Sequence, residues 1–299
     1  MLASSAFARA ALMAPTLLAA ALVATPAEAF CRSTTCTGDC PRDDDGCKTS
    51  GKGISWKGLC VGFSIQKDLT VDLEPAKVRA AIEDGFAAWS ELDCGGGQAS
   101  IAFTELTDVA CKRSEYSTTE PNANVILFQD TKWSYHGAND TLAKTTVTFD
   151  HETGEILDAD IEVNHAYNEL TVADDNVVYD LRSIMTHEIG HFIGLDHTPD
   201  TDATMFAGYD EGETKQRTLE ADDVAAACAV YPKGRVGRCD PTPKNGFGRE
   251  CVGTAATSGG AAEDPAGGCA ASGSRGGDGA AGLVGLGLGL WFARRRRTR

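Results

Sequence analysis

Apolar residues alternate with small or polar ones from Leu59 through Val61 and Phe63 to Ile65, the period-two pattern of a β-strand. The period then lengthens. After Pro75, a residue suited to a first helical turn, Val78, Ala81, Ile82, Gly85, Phe86 and Trp89 fall on one helical face, and Gly95-Gly96-Gly97 closes the segment. Shorter strands are predicted at residues 100–104 and 124–128. The unbroken run Val125-Ile126-Leu127-Phe128 fits a central strand covered on both faces. Residues 141–149 and 156–164 read as an antiparallel pair joined around His151-Glu152-Thr153-Gly154. A second helix is predicted over residues 175–195, with Val178, Leu181, Ile184, Met185 and Ile189 supplying core contacts.

Outside this region the patterning fails and composition takes over. Residues 31–53 hold Cys31, Cys36, Cys40 and Cys47 with little apolar sequence, which describes a disulfide-held extension. Residues 1–29 combine Arg9, an Ala/Leu-rich apolar run and Ala27-Glu28-Ala29 ahead of Phe30, the make-up of a secretory signal peptide. From residue 253 onward Gly, Ala and Ser dominate, leading into the apolar residues 280–293 and then four consecutive arginines from Arg294 to Arg297. As a helix that apolar run is about 21 Å long, marginal for a membrane span, with a basic stop on its cytoplasmic side. The expected division is a signal peptide (1–29), a Cys-rich extension (30–56), one catalytic domain (57–233), a Gly/Ala-rich linker (234–268) and a C-terminal sorting or anchor segment (269–299).

Charge and cysteine content fit export. The formal charge of −16 becomes about −21 once both terminal segments are removed, which speaks against nucleic acid as a partner. Such acidity serves solubility, with calcium (Ca2+) sites as the minority alternative. Eleven cysteines do not suit a reducing compartment. Setting Cys269 aside leaves an even set, which implies disulfides whose pairing stays open.

The chemistry concentrates in His187-Glu188-Ile189-Gly190-His191-Phe192-Ile193-Gly194-Leu195-Asp196-His197. Four residues apart on a helix, His187 and His191 share a face and can ligate one metal ion. Glu188, one step round, can reach a water on that metal as a general base without ligating it. On a continuing helix His197 would be carried about 9 Å along the axis, so Gly194 is expected to adopt the left-handed conformation that ends the helix and turns the chain back. Three neutral imidazoles leave a fourth position open, as in a catalytic rather than a structural zinc site.

These eleven residues resemble the signature of the metzincin metalloproteases, and most closely that of the matrixins. Ala203-Thr204-Met205-Phe206-Ala207-Gly208-Tyr209 lies where that family has a methionine turn beneath the zinc. Residues 155–161 resemble the strand that precedes the zinc helix, and residues 219–232 its closing helix. The resemblance spans about residues 57–233. It implies an α/β (α+β) zincin-like fold: a twisted, mixed five-stranded sheet with an active-site helix, a Met-turn and a C-terminal helix. It further implies a zinc endopeptidase acting on polypeptides as a monomer, with one catalytic zinc on His187, His191 and His197, Glu188 as base, Met205 below, and Tyr209, Ala207 and Gly208 beside the substrate pocket. An extended substrate would add antiparallel to the edge strand, over Thr145 to Phe149.

Departures from the family narrow the expectation. Ala207 stands where astacins and serralysins have a tyrosine, and Ala207-Gly208 lacks the proline of vertebrate matrixins. Thr148 and Asp160 are the nearest matches to the histidines of the structural zinc, so one zinc is expected, with His136, His151 and His165 as solvent or turn residues. No proline-arginine-cysteine latency motif is present, and the early cysteines are expected in disulfides rather than on the metal. Cys269, the short apolar stretch and the arginine cluster resemble the tripartite MYXO-CTERM sorting signals of myxobacterial surface proteins. That resemblance implies cleavage near Cys269 by a sorting protease and delivery to the surface. The alternatives are a retained weak anchor and, for function, a zinc-binding adhesion module with little turnover.

Overall fold

A computed structural model of the chain describes residues 30–250 and the strand Leu288–Trp291. Residues 1–29, expected to be a signal peptide, together with Cys269 and most of the C-terminal segment, lie outside the described residues.

The sheet forms from β1 (Cys60–Ile65), β2 (Ala102–Glu105), β3 (Val125–Phe128), β4 (Thr141–Phe149) and β5 (Ile156–Val163) in the order β2-β1-β3-β5-β4. The first four in that order run parallel, and β4 is antiparallel to β5, with Thr145 opposite Ile161 and Thr146 opposite Asp160. The five-stranded mixed sheet is the expected one. All six residues of β1 are buried, because it lies between β2 and β3. Alternation along β1 therefore separates two covered faces rather than a core face from solvent.

One face carries Val61, Phe63, Ile65, Ile126, Ile161 and Val163 against the two long helices, α1 (Pro75–Ser90) and α2 (Leu181–Phe192). The six apolar α1 residues read from the sequence are those the helix buries. On the other face Val125 and Leu127 meet Val109, Cys111, Ala123 and Phe247. This explains why β3 is apolar throughout: each side of it enters a different core. Phe247 belongs to residues 234–250, which run back along the domain, with Cys60–Cys239 closing that arm onto β1. Between β5 and α2 the chain makes a two-residue parallel pair, β6 (Leu170–Thr171) with β7 (Tyr179–Asp180), and α3 (Ala221–Val230) closes the domain.

Two expectations need correction. The second helix begins at Leu181 rather than at residue 175, and Val178 precedes it, partly buried. The reason is a cap: the Asp180 carboxylate accepts the Ser183 amide at 2.8 Å, satisfying one of the donors a helix start leaves free. Farther on, Leu288–Trp291 is a strand, β8, and not helical; it pairs antiparallel with β4 at Thr141, Lys144 and Thr145. The β4 edge expected to be open is thus paired up to Thr145. Beyond it, residues 146–149 have no partner strand on that side among the described residues.

Every described cysteine is in a disulfide. The pairs are Cys31–Cys47, Cys36–Cys40, Cys60–Cys239 and Cys94–Cys228, while the partner of Cys111 lies outside the described residues. The four early cysteines accordingly offer no free thiol to a metal.

Candidate active site

Helix α2 is held from three sides. The indole of Trp89 on α1 donates to Thr186 O at 2.7 Å, that of Trp56 to Phe192 O at 2.8 Å, and the Tyr231 hydroxyl to Ile193 O at 2.7 Å. The last two occupy carbonyls that a helix C-terminus leaves unpaired. Close packing depends on two glycines. A Cβ at Gly85 would lie 2.9 Å from Ile189 Cδ1, and one at Gly190 would lie 2.1 Å from Met205 Sδ and 2.9 Å from Trp89 Cζ2. Glycine costs about 1 kcal/mol in a helix interior, and here it lets the methionine turn touch the helix directly.

The helix ends at Phe192, short of the expected residue 195, through the glycine turn the sequence predicts. Gly194 has φ +94°, its amide bonds to His191 O at 2.9 Å, and Leu195 N reaches Gly190 O at 3.0 Å. The turn carries His197 back beside His187 and His191. Their Nε2 atoms are 3.1, 3.2 and 3.1 Å apart (187–191, 187–197 and 191–197). His187 Nδ1 lies 2.7 Å from Thr204 O and His191 Nδ1 2.9 Å from Leu195 O, so in both rings the proton belongs on Nδ1 and the lone pair on Nε2. Burial holds all three imidazoles neutral, well below the usual histidine range, and puts His191 at about 3. Neutral lone pairs converging at this separation fit a cation. Tetrahedral zinc with Zn–N bonds near 2.05 Å places ligand nitrogens about 3.3 Å apart. Among the described residues this triad is the cluster that could hold a metal ion.

Glu188 is fully buried beside the triad. Its Oε2 accepts the Thr145 hydroxyl at 2.5 Å, and Oε1 has no hydrogen-bond partner. Burial raises the carboxyl to about 8, against the pull of the Thr145 hydroxyl and of Lys144. Met205 is 2% exposed, and its turn is fixed from α3: the Asp223 carboxylate accepts the amides of Thr204 at 2.8 Å and Met205 at 3.0 Å. Asp223 therefore reaches His187 through Thr204.

The other expected residues fall as follows. Tyr209 is buried, its hydroxyl accepting Asp180 N at 3.2 Å and donating to Glu213 O, while Ala207 and Gly208 are half-exposed beside it. His136 and His151 are exposed. His165 is neither a solvent nor a turn residue: half-buried, its Nδ1 lies 2.6 Å from Thr70 Oγ1 and 3.0 Å from Asp130 Oδ1. The sequence places Thr145 only on the substrate edge, not at Glu188, and does not single out Asp180 or Asp223. Asp180 carried a signal, an aspartate directly before an apolar helical run. Thr145 carried none, since its partner is 43 residues away.

Three imidazoles converging over a methionine turn, on this mixed sheet, define a metzincin-type metal centre. The family model for matrixins matches residues 55–232, and the chain belongs to the matrixin family. Curated relatives agree. Matrix metalloproteinase-C of Caenorhabditis elegans is 25% identical over 197 residues, covering 62% of this chain and 30% of that protein. Neutrophil collagenase of Homo sapiens is 27% identical over 178 residues, or 59% and 33% of the two chains. Metalloendoproteinase 1-MMP of Arabidopsis thaliana reaches 38% identity over 69 residues, 21% of this chain and 19% of that protein. The match spans about a third or less of these relatives' length.

Proposed function

We propose that the protein is a zinc-dependent endopeptidase, exported from the cell, that hydrolyses peptide bonds in polypeptide substrates with Glu188 as general base. One observation carries this reading: a buried carboxylate with one tethered and one free oxygen directly follows His187 on the helix, and the lone pairs of His187, His191 and His197 converge on a metal position. His187, His191 and His197 would hold the ion. Bound there, zinc acidifies water and polarises a carbonyl as a Lewis acid. Glu188 Oε1 accepts the proton of the attacking water and returns it to the departing amine, while Oε2 stays on Thr145. The outer edge of β4 after Thr145, which has no partner strand among the described residues, offers backbone groups to an extended substrate.

Export rests on the signal-peptide composition of residues 1–29 and on a domain whose described cysteines are all oxidised. Residues 269–299, with Cys269, would then serve surface sorting, and the catalytic unit acts as a monomer. No helix among the described residues is long and apolar enough to cross a membrane.

Hydrolysis of casein or gelatin by purified protein tests the reading, with Glu188→Ala and a chelator as controls. Wild type should cleave, and both controls should not. A zinc-loaded wild type as inactive as Glu188→Ala would leave the adhesion-module alternative; activity surviving in Glu188→Ala would overturn the mechanism.

A further inference from the structure

The Cys-rich arm has no part in the reading above, yet its contacts lead to the metal. Cys31 to Ser33 lie along the turn that delivers His197: Ser33 N donates to Gly194 O and Asp196 N to Cys31 O, each at 3.0 Å, and the Ser33 hydroxyl donates to Leu195 O at 3.0 Å. Leu195 O is the same carbonyl that fixes His191 Nδ1. The Cys31–Cys47 bond brings Lys48 to this place, with its ammonium 3.6 Å from Asp196 Oδ2. Both side chains are nearly sealed, at 4% and 3% exposure. The other oxygen of that carboxylate accepts the backbone amide of His197 at 3.0 Å.

From these contacts we infer that the arm is a permanent part of the metal centre, with Lys48 as a positioning residue that acts through Asp196 on His197. The inference rests on the metal site of the preceding reading, not on its peptidase activity. His187 and His191 are placed by a helix. His197 stands in irregular backbone, so its position depends on what holds residues 194–196. A buried carboxylate that loses a cation partner is destabilised where it stands, and it recovers by turning towards water. If Asp196 turns, the His197 amide loses its acceptor and the third ligand is free to swing. The arm thus works opposite to a removable prosegment: its loss would weaken metal binding rather than expose the metal.

The experiment uses the full chain. Zinc release to a chromophoric chelator and the d–d spectrum of the cobalt(II)-substituted protein are compared for wild type, Lys48→Met and Lys48→Arg. Met keeps much of the volume and removes the charge; Arg restores it. Lys48→Met should release zinc about tenfold faster, in the range found for residues that orient metal ligands, and should alter the cobalt bands. Lys48→Arg should recover most of both. In an Asp196→Asn background, Lys48→Met should add nothing further, since the two act as a unit. Zinc release within twofold of wild type in Lys48→Met, or additive effects in the double variant, overturns the inference. Should Lys48→Met lose the native far-UV spectrum, Asp196→Asn alone carries the test, and unchanged zinc release there overturns it equally. A protein that binds zinc with these properties but cleaves nothing would remove the peptidase reading and leave this one standing.

Discussion

The Thr145 hydroxyl lies 2.5 Å from Oε2 of Glu188 and 3.1 Å from the same residue's backbone carbonyl. One O–H hydrogen serves one strong bond, and the shorter distance assigns it to the carboxylate. The carboxylate proposed as general base is thus fixed by a side chain of β4, the strand on whose edge a substrate would dock. Thr145→Val keeps the shape and removes the donor. It should lower kcat about tenfold or more, the value of a hydrogen bond to a charged group, with KM and zinc content unchanged. Thr145→Ser should retain most activity. Equal kcat in wild type and Thr145→Val would show that the bond does not orient the base.

Gly190→Ala tests the contact between α2 and the methionine turn. The added methyl would overlap Met205 Sδ and crowd Trp89, both buried. Overpacking of this kind costs about 1–3 kcal/mol, outweighing the helical preference for alanine. Urea unfolding should show a lower midpoint with an unchanged slope. A stabilised Gly190→Ala would mean that the turn gives way freely.

Removing the metal should destabilise the fold, because a ligand that binds only the folded state stabilises it by mass action. Zinc present at about a thousand times its dissociation constant contributes about 4 kcal/mol, or roughly 8–16 °C in a domain of this size. Calorimetry with and without a chelator measures it. A Tm indifferent to the chelator would deny zinc its place on the three imidazoles.

Asp158 supplies a pH dependence. Its Oδ1 is buried without a partner, and its pKa is raised well above the usual carboxylate range by burial, then by the charges of Asp160 and Glu115. The folded protein therefore holds the Asp158 proton more tightly than the unfolded chain does. The group favours the fold below about pH 4 and works against it as pH rises towards its folded value. Asp158→Asn should raise Tm by roughly 2–4 °C at pH 7.5, and this gain should vanish at pH 3.5. Asp160→Asn should gain less, since Asp160, although burial raises it too, accepts the amides of Val125 at 2.8 Å and Glu115 at 3.0 Å, which favour its charged form. A pH-independent effect of Asp158→Asn would refute the assignment.

What the sequence disclosed was what local periodicity can carry. The α1 face from Val78 to Trp89, the β4–β5 pair and the return of the chain at Gly194 all follow from spacing within one element. Contacts across the fold left no such trace. Nothing near Thr145 marks it as the partner of Glu188, and nothing near Lys48 points to Asp196. The apolar rhythm continues back through Val178 and so extends the expected helix six residues before its actual start, which the Asp180 cap sets at Leu181. In β1 alternation marks a strand but not how deeply it lies: all six residues are buried, and Gly62 is approached by Pro241 and Leu106, both distant in sequence.

The Cys60–Cys239 bond joins residues 179 apart and encloses every strand from β1 to β7, all three α-helices and the metal centre. For the peptidase proposed above, this makes the domain a closed covalent ring. A single cut in any surface loop within it, whether by another copy or by a competing protease, opens the ring without separating its parts. Loss of a fragment then takes a second cut or a reductant, so a nicked molecule keeps its three imidazoles, Glu188 and Thr145 on one connected body.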